Sequence, residues 1–506
     1  EKMLNKTLEG AAIVKRILLK AKLELISPLI IGGGRSLYGD SDVIVLKDEN
    51  GQPFIPSSSI TGALKHAFDE YEYTGDASDY EENKRWFWGG EYHLKVDGEC
   101  VKRSCQSAFV IADMILPEGS RAPVTIRDGI KINRKTGIVE THKKFDFEIV
   151  EPGIAFDFKM EVLIRKAFDM ELFRSFFNWI TAVLSGGEFA IGARTGQGFG
   201  CCKLEDLTAC EFDYRKPEHI IAWLSGDYSN VPLVYDPLQL PRAFHPRHKQ
   251  FHIKAEFNIK NALIVGSYSG NPQAPDKVHI KSRNHNQSKD IAILPGTSLR
   301  GAIRSRAERI INTLGGNGLD ELKGLFGWVD DKPGSPEHKE AIRGRIKIEE
   351  KQIAWESYYE EIQYRVKIDR FTGGAMNNAL FDSMPLWSKD SKDSNETMVT
   401  LELSINEYKD WEAGLMLLIL KDMWNGDLAV GGEKNVGRGV LRGLSASISL
   451  ENAKIEIKQD GEQLMIYRQG DNPGWDEKMT EMLENRVAAL IDHIEKNKGN
   501  RKRGDV

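Results

Sequence analysis

Cysteine and long hydrophobic runs are scarce in this sequence. Its 506 residues include five cysteines, too few for a disulfide framework, which favours free thiols in a reducing, cytoplasmic compartment. Cys100 and Cys105 have a spacing compatible with zinc and lie near His93, but a zinc site there would need a fourth ligand from elsewhere. The longest strongly apolar run, GLMLLIL at residues 414–420, is far shorter than the ~20 residues of a membrane span. The composition therefore favours a globular protein without membrane segments.

An excess of positive charge is also missing. Lys and Arg number 69 against 75 Asp and Glu, which gives a net charge of −6 at pH 7. A nucleic-acid-binding domain usually carries a basic footprint. The net charge averages over all faces, however, and acidic residues are concentrated at residues 69–82. The negative net charge therefore does not exclude an acidic protein with one basic face.

Two glycine-rich tracts stand at corresponding places in the two halves of the chain. The first is IGARTGQGFG at residues 191–200, and the second is VGGEKNVGRGV at residues 430–440. Glycine adopts positive φ and lets the backbone come close to a ligand, and successive exposed amides can cradle phosphate. One such tract would be a weak motif. Its presence at corresponding places in both halves indicates a repeat with a function.

Four further segments repeat in the same order. Residues 29–32 (LIIG) recur at 263–266 (LIVG), residues 56–65 (PSSSITGALK) at 295–304 (PGTSLRGAIR), residues 130–137 (IKINRKTG) at 366–373 (VKIDRFTG), and Phe145-Asp146 at Phe381-Asp382. The offsets drift between 234 and 241 residues, the largest being that of the glycine tracts when Gly196 is aligned with Gly437. Two copies of one domain with loops of different length explain this pattern.

Each copy is predicted to run strand, helix, strand, strand, helix, strand. Residues 16–26 and 250–259 alternate apolar and polar side chains, as half-buried strands do. The serines at 57–59, and Thr297 or Ser298 in the second copy, are predicted to cap the helices that follow. This order predicts a ferredoxin-like α+β fold with long insertions. We assign residues 1–210 and 250–450 to the two domains, 211–249 to a connector and 451–506 to a C-terminal extension.

Taken together, the glycine tracts, the first-helix segments and the hairpin segments resemble the RAMP superfamily. More narrowly, the sequence is similar to the backbone-forming subunits of type III CRISPR effector complexes, in the tandem-fused form of the type III-D branch. The resemblance covers most of residues 16–207 and 250–450. It implies two ferredoxin-like, RRM-like domains with thumb hairpins in a cytoplasmic ribonucleoprotein complex for antiviral defence. The partners implied are guide RNA, single-stranded target RNA and further subunits.

The resemblance implies that the first helix and the glycine tract of each copy grip the guide RNA backbone. Helix N-termini and glycine amides bind phosphate without reading the base, as a subunit that accepts any guide requires. The residues implicated are Ser59, Lys65, Arg194, Thr195 and Gln197 in the first copy and Ser298, Arg300, Arg304, Lys434, Asn435 and Arg438 in the second. The alternative is a tight turn flanked by solvated basic side chains.

Residues 127–146 and 363–382 correspond in the resemblance to the family's thumb, a hairpin that wedges between guide–target base pairs and displaces a nucleotide. Wedging costs roughly a few kcal/mol per step, so contacts with the RNA backbone must offset it. The apolar wedge would be Ile130 and Ile132, or Val366 and Ile368, with Lys131, Arg134, Lys367 and Arg370 on phosphates. The alternative is an ordinary exposed hairpin.

The resemblance also implies catalysis, since nucleases of the family carry an aspartate in the loop after the first strand. GDSDVIVLKD places Asp42 there, with Asp40 as a rival, and PDKVHIK offers Asp276 in the second copy. Such a carboxylate can hold Mg²⁺ or Mn²⁺, or orient a ribose 2′-OH for attack on its own phosphate. A metal-dependent endoribonuclease is therefore expected, with the metal ligands undetermined. The alternatives are aspartates that only form turns and a non-catalytic guide-binding scaffold. A guide-processing enzyme would need a catalytic histidine, and the surroundings of His66 do not suggest a general base.

Overall fold

The computed structural model describes residues 12–33, 42–75, 79–96, 99–134, 136–229, 231, 241–267, 273–329, 341–389, 398–451 and 453–504. The chain divides into two compact units. Unit 1 comprises Glu1–Ile126, Glu148–Ala193 and Gly200–Arg247, and unit 2 comprises Arg127–Phe147, Arg194–Phe199 and His248–Val506. Most of the first copy's hairpin and its glycine turn therefore belong to unit 2, together with the whole second copy.

Unit 1 is built on a four-stranded antiparallel sheet. Its main elements are β1 (Ile13–Leu25), α1 (Ser57–Asp69), β2 (Phe109–Ile111), β3 (Ala155–Arg165), α2 (Met170–Ser185) and β4 (Cys202–Asp213). The strand order is β2-β3-β1-β4, and β1 pairs antiparallel with β3 and β4. This is the ferredoxin-like order, so the predicted α+β fold is confirmed for the first copy.

Aromatic side chains fill the core of unit 1 between the sheet and its helices. Phe68 on α1 meets Trp179 on α2 edge to face, with ring centroids 4.8 Å apart. The smaller elements of this unit are the strands Tyr71–Tyr73, Gly90–Val96, Glu99–Cys105 and Phe244–Pro246 and the helices Tyr80–Trp88 and Pro217–Ser225. Phe244–Pro246 pairs with Tyr71–Tyr73, so a part of residues 211–249 is folded onto the first domain.

Unit 2 repeats the same order and lengthens the sheet. Its main elements are β5 (Gln250–Ile259), α3 (Gly296–Thr313), β6 (Ile346–Ile348), β7 (Met398–Asn406), α4 (Asp410–Trp424), β8 (Leu441–Leu450), β9 (Ala453–Asp460), β10 (Gln463–Arg468) and α5 (Glu477–Gly504). The strand order is β6-β7-β5-β8-β9-β10. The first four strands reproduce the order seen in unit 1, and the last two come from the C-terminal extension.

Short elements connect the main ones in unit 2. They are the strands Ala262–Leu263, Gly266–Ser267, Lys277–His279, Lys281–Ser282, Ile291–Leu294, Trp328–Val329, Ala341–Ile342, Lys351–Gln352, Tyr358–Glu360 and Leu386–Ser388, the helices Gly318–Glu321 and Lys323–Phe326, and the 3₁₀ turn Trp355–Ser357. Two hairpins correspond to the predicted thumbs. The first pairs Val124–Ile132 with Val139–Val150, and the second pairs Gln363–Ile368 with Ala375–Met384.

The C-terminal helix α5 packs against α4. Gly414 on α4 lies so close to α5 that a Cβ atom there would overlap the Arg486 carbonyl group. The His493 imidazole stacks on the Trp411 ring with centroids 4.4 Å apart, and Ile494 is buried. The extension is therefore part of the core of unit 2.

The helices α1 and α3 begin without the predicted side-chain caps. Pro56 and Pro295 occupy the N-cap positions, and neither helix has a side-chain cap hydrogen bond. The predicted capping residues lie in the first turn instead, because the fixed φ of proline sets the entry into each helix. In α1, the backbone N–H of Ser57 donates to Asp113 Oδ1 at 2.7 Å. At the other end of α3, Gly315 follows the C-cap residue with a φ of 85°, a conformation in which glycine commonly ends a helix.

Candidate functional site

The two aspartate loops have the same backbone pairing in both copies. Gly32 bridges Val45 in the first copy, and Gly266 pairs with His279 in the second. Both partners are displaced by 234 residues, the offset that also relates Asp42 to Asp276. Each aspartate is exposed and stands three residues before the bridged residue. The structure therefore places Asp42 and Asp276 at equivalent positions, whereas Asp40 lies outside the described residues.

In unit 1 the Glu148 residue fixes the extended segment that follows Asp42. The backbone N–H of Glu148 donates to the Val43 carbonyl at 2.8 Å, and the Glu148 carboxylate accepts from the Val45 N–H at 2.9 Å. The same carboxylate pairs with Lys47 Nζ at 3.0 Å. The Glu148 carboxylate thus anchors the loop that carries Asp42 by binding the Val45 amide and the Lys47 ammonium group.

In unit 2 a second aspartate, Asp382, lies directly beside Asp276. The strand Lys277–His279 runs parallel to the hairpin strand Ala375–Met384. The Asp276 N–H donates to Asp382 Oδ1 at 2.6 Å, and the Asp382 N–H donates to Asp276 Oδ2 at 3.3 Å. This reciprocal pair holds two exposed or half-buried carboxylates together at the base of the second hairpin.

A buried histidine supports the second loop from behind. His279 Nδ1 accepts from the Val265 N–H at 3.2 Å, and its Nε2 lies 2.8 Å from the Ile293 carbonyl oxygen, to which it donates in the neutral ring. Burial lowers the pKa of His279 to about 4. Both ring nitrogens are used in holding the backbone, so His279 has a structural role.

The aspartates offer oxygen ligands but no complete protein cage for a metal. Within the part of the chain that the structure describes, no three His, Cys, Asp or Glu side chains converge as metal ligands. Magnesium usually keeps several waters and is bound through one or two carboxylates plus substrate phosphates. The pair of Asp276 and Asp382 fits that requirement, and Asp42 supplies one carboxylate.

The glycine tracts form matching 3₁₀ turns, Thr195–Gln197 and Lys434–Val436. Left-handed residues flank both turns: Arg194 and Gly198 in the first, Glu433 and Gly437 in the second. The predicted alignment of Gly196 with Gly437 is therefore wrong by two residues. The structural offset is 239, because the positive φ required at the end of the turn aligns Gly198 with Gly437.

Close backbone contact explains the last glycine of each tract. Gly200 and Gly439 have φ values of 79 and 76°. A Cβ atom on either would overlap the carbonyl oxygen of Ile191 or Val430. These two glycines therefore close the loop onto itself, and their conformation needs no phosphate to explain it.

Arg194 and Arg300 are engaged with protein groups. The Arg194 guanidinium lies over the Phe147 ring at 4.2 Å and the Phe145 ring at 5.0 Å. Arg300 Nη1 donates to the carbonyl oxygens of Gly196 at 2.8 Å and Ile346 at 2.6 Å. Burial lowers the pKa of Arg194 and lowers that of Arg300 to about 10.

The second turn presents its polar residues to solvent. Lys434 and Asn435 are exposed. Arg438 is only 3% exposed, and its Nη1 pairs with Glu433 Oε2 at 2.6 Å and donates to Ser383 Oγ at 3.2 Å. Arg438 therefore ties the turn to the hairpin strand instead of presenting its charge at the surface.

The remaining predicted RNA contacts lie on helices and hairpins. Lys65, Lys131, Arg134, Lys367 and Arg370 are exposed, and Ser59, Thr195, Gln197, Ser298 and Arg304 are half-buried. Lys131 pairs with Glu140 at 3.0 Å, and Arg134 pairs with Glu308. Burial, with Arg134 as a smaller cause, lowers the pKa of Arg304. The structure thus brings Lys367 and Arg370 together on the second hairpin and places Lys65 on α1.

Apolar side chains project from both hairpins. The four predicted wedge residues, Ile130, Ile132, Val366 and Ile368, are between 44% and 52% exposed. Sequence reasoning missed Phe371, which is 100% exposed in the turn of the second hairpin. Asp369 holds that turn by accepting from the N–H groups of Phe371 and Thr372. An aromatic residue between Arg370 and Thr372 in a predicted turn was the available signal.

The described residues thus form two ferredoxin-like domains, with two exposed hairpins that carry basic residues and two matching aspartate loops. A family model of the RAMP superfamily matches residues 22–203 and 257–442. The chain belongs to this superfamily and is, in general terms, a CRISPR-associated RNA-binding subunit of a larger complex. A comparison with curated proteins gives no match. Among the described residues, no helix is long and apolar enough to cross a membrane.

Proposed function

We propose that the chain is a backbone subunit of a type III CRISPR effector complex, which binds guide RNA and cleaves the paired target RNA at nucleotides displaced by the thumbs. The observation that carries the proposal is the equivalence of Asp42 and Asp276. Gly32 to Asp42 and Gly266 to Asp276 span the same number of residues, and in each copy an exposed aspartate stands three residues before the same bridged position. A carboxylate at the same place in both loops supports a shared role for the two aspartates.

RNA binding is assigned to the exposed cations and turn residues. Lys65, Lys131, Arg134, Lys367, Arg370, Lys434 and Asn435 are the exposed set, and the half-buried Ser59, Thr195, Gln197, Ser298 and Arg304 lie on α1, on the first glycine turn and on α3. Such contacts bind phosphate independently of base identity. Arg194, Arg300 and Arg438 are assigned to positioning the turns, because their guanidinium groups are held by aromatic rings, carbonyls and Glu433.

The thumb hairpins are assigned to displacing target nucleotides. Phe371 can stack on a base at the tip of the second hairpin, and such stacking is worth roughly 1–3 kcal/mol per base. Lys367 and Arg370 on the same hairpin supply cations for the phosphates that flank a displaced nucleotide. These contacts offset the cost of unstacking.

Cleavage is assigned to attack by the ribose of a displaced nucleotide. Its 2′-oxygen bonds to the adjacent phosphorus while the bond from that phosphorus to the next 5′-oxygen breaks. The 2′-OH proton leaves, and the departing 5′-oxygen takes up a proton, which gives a 2′,3′-cyclic phosphate and a 5′-hydroxyl. The Asp42 or Asp276 carboxylate orients the 2′-OH by accepting its hydrogen bond. A bound Mg²⁺ or Mn²⁺ would stabilise charge on the phosphate.

The test is cleavage of target RNA by the assembled complex with Mg²⁺ or Mn²⁺. The double variant Asp42→Asn/Asp276→Asn keeps the shape of both loops and removes two charges, and we expect cleavage to fall at least about 100-fold. The matched control is Glu49→Gln/Asp290→Asn, which removes two exposed charges elsewhere. Guide and target binding should be unchanged in both. Full cleavage by the double variant would overturn the nuclease assignment and leave a guide-binding scaffold.

A further inference from the structure

A groove of about 350 Å³ in unit 2 contains none of the residues assigned to RNA binding or to the aspartate loops. It lies where the end of β5, the start of β8 and the C-terminus of α4 meet. Its polar and aromatic lining consists of Lys260, Arg442, Trp424, Asn425 and Gln459. Pockets for small ligands usually enclose about 300–1,000 Å³, so the groove has room for one small ligand.

The Trp424 ring forms a fixed, half-buried wall of the groove. It lies against Gly443, where a Cβ atom would overlap the ring. The indole N–H donates to Gln459 Oε1 at 3.1 Å. Gln459 is held in turn, because its Nε2 donates to the carbonyl oxygens of Gly461 at 2.9 Å and Gln463 at 3.3 Å. A ring whose orientation is already set loses little side-chain freedom when a ligand binds.

Two cations line the strand side of the groove. Lys260 follows β5 and Arg442 lies on β8, and both are exposed. Within the described part of the chain, neither side chain forms an ion pair or a hydrogen bond, whereas the nearby Lys249 pairs with Glu451. None of the residues that line the groove is acidic. An ammonium and a guanidinium group in such surroundings can bind phosphate through charge-assisted hydrogen bonds.

The helix side of the groove offers hydrogen-bond acceptors. Trp424 is the last residue of α4, and Asn425 is its C-cap. The last carbonyl groups of a helix have no intrahelical partner, and those of Trp424 and Asn425 accept no backbone hydrogen bond from the residues that the structure describes. A ligand that matches both sides therefore carries an anion, a planar ring and hydroxyl or amino donors.

The first copy has different residues at the equivalent positions. The pairs Leu25 with Cys202 and Ile259 with Leu441 mark corresponding ends of the two sheets. The counterparts of Lys260, Trp424 and Gly443 are Ile26, Ser185 and Leu204. Lys203, the counterpart of Arg442, is paired with Glu24 and Glu205. The chemistry of the groove thus belongs to the second copy alone, whereas a contact repeated along a guide would be expected in both.

We infer that the groove binds a nucleoside monophosphate unit. Lys260 and Arg442 bind the phosphate, and the base lies against the Trp424 ring. The carbonyl groups at the end of α4 accept from the ribose hydroxyls or from an amino group of the base. Stacking on an aromatic ring tolerates every base, so the site does not select a sequence. The unit is a free nucleotide or one nucleotide of an RNA chain, since both present the same groups.

The test is isothermal titration of the assembled complex, with its guide RNA, by AMP, inorganic phosphate and a single-stranded oligouridylate. The variant Lys260→Gln/Arg442→Gln removes both cations of the groove, and we expect its affinity for AMP to fall roughly tenfold or more. The matched control Lys454→Gln/Lys458→Gln removes two exposed cations of β9 that do not line the groove. It should bind AMP like the wild type.

The three probes distinguish the sources of the nucleotide. A loss of affinity for AMP alone identifies a free nucleotide as the ligand, and a loss for both AMP and the oligouridylate identifies a nucleotide of an RNA chain. Inorganic phosphate lacks the ring and the ribose, so it should bind the wild type more weakly than AMP. Unchanged AMP affinity in Lys260→Gln/Arg442→Gln, or phosphate binding as tight as that of AMP, would overturn the inference.

The nucleotide site and the nuclease assignment can fail separately. Asp42→Asn/Asp276→Asn should bind AMP like the wild type, because neither aspartate lines the groove. Conversely, Lys260→Gln/Arg442→Gln should leave the cleavage of target RNA unchanged.

Discussion

Gly198 and Gly437 occupy the same place in the two glycine turns, with φ values of 87 and 83°. The first is packed against Glu350 and the second is open. The aspartate loops also differ in their contacts: Asp42 precedes a segment anchored by the Glu148 side chain, whereas Asp276 is paired with Asp382. The glycines and the aspartates thus occupy the same backbone positions in both copies, but the protein groups that contact them differ between the copies. Equivalent residues of the two copies therefore need not tolerate equivalent substitutions.

The largest difference is expected from Gly198→Ala against Gly437→Ala. Both substitutions place a Cβ atom at positive φ, at a cost of about 1 kcal/mol. Only at Gly198 does that atom also overlap the backbone of Glu350, which raises the expected cost to roughly 3 kcal/mol. Calorimetric unfolding of the two variants measures this. Equal losses in the free energy of unfolding would contradict the packed surroundings of the first turn.

The buried His279 has Val45 as its counterpart in the first copy. The pKa of the buried imidazole is about 4, below its ordinary value, so protonation favours the unfolded chain. Its contribution to stability is complete above pH 6.5 and is lost as the pH falls toward 4, by up to about 3 kcal/mol. Denaturant unfolding between pH 7 and 4 measures the loss.

The variant His279→Val isolates this residue by copying the first domain. It removes the hydrogen bonds to Val265 and Ile293, so it should be less stable at pH 7 by about 1–3 kcal/mol. It should also lose part of the pH dependence between 6.5 and 4. An identical slope in the variant and in the wild type would show that other groups cause the acid sensitivity.

The two hairpin tips differ in sequence, because the first copy has Lys135 at the place of Phe371. The variant Phe371→Ala tests what the aromatic ring contributes at the second tip. Removing an exposed ring should leave folding unchanged and weaken target binding by roughly 1–3 kcal/mol if the ring stacks on a base. Target affinity of the complex measures the effect, and Leu464→Ala is a control on an exposed apolar residue outside the hairpins. Unaltered affinity would rule out stacking at this tip.

The smallest expected effect is that of Asp382→Ala, with Asp382→Asn as its partner variant. Alanine removes the acceptor for the Asp276 N–H, and we expect about a tenfold lower rate at the second cut alone. Asparagine keeps an acceptor oxygen, so a normal rate with asparagine indicates a positioning role. An equally low rate with asparagine would indicate that the carboxylate charge itself is used.

The sequence predicted the two copies, their strand order and the equivalence of Asp42 and Asp276, because these depend on local patterns and on repetition. It misaligned the glycine tracts, since the φ values that define each turn are not visible in a string containing several glycines. The sequence could not show that Lys434 is exposed and Arg438 is buried. Burial depends on contacts between distant residues, such as the ion pair of Arg438 with Glu433. The pairing of Asp276 with Asp382 depends on contacts between distant strands.

The equivalence of the two loops is tested by mapping the cut positions on one target RNA for the wild type, Asp42→Asn and Asp276→Asn. If the two loops are equivalent catalytic sites, the wild type cuts at two positions, and each variant loses a different one while guide and target binding stay normal. Loss of both cuts in one variant, or retention of both in each, would contradict the equivalence of the two loops.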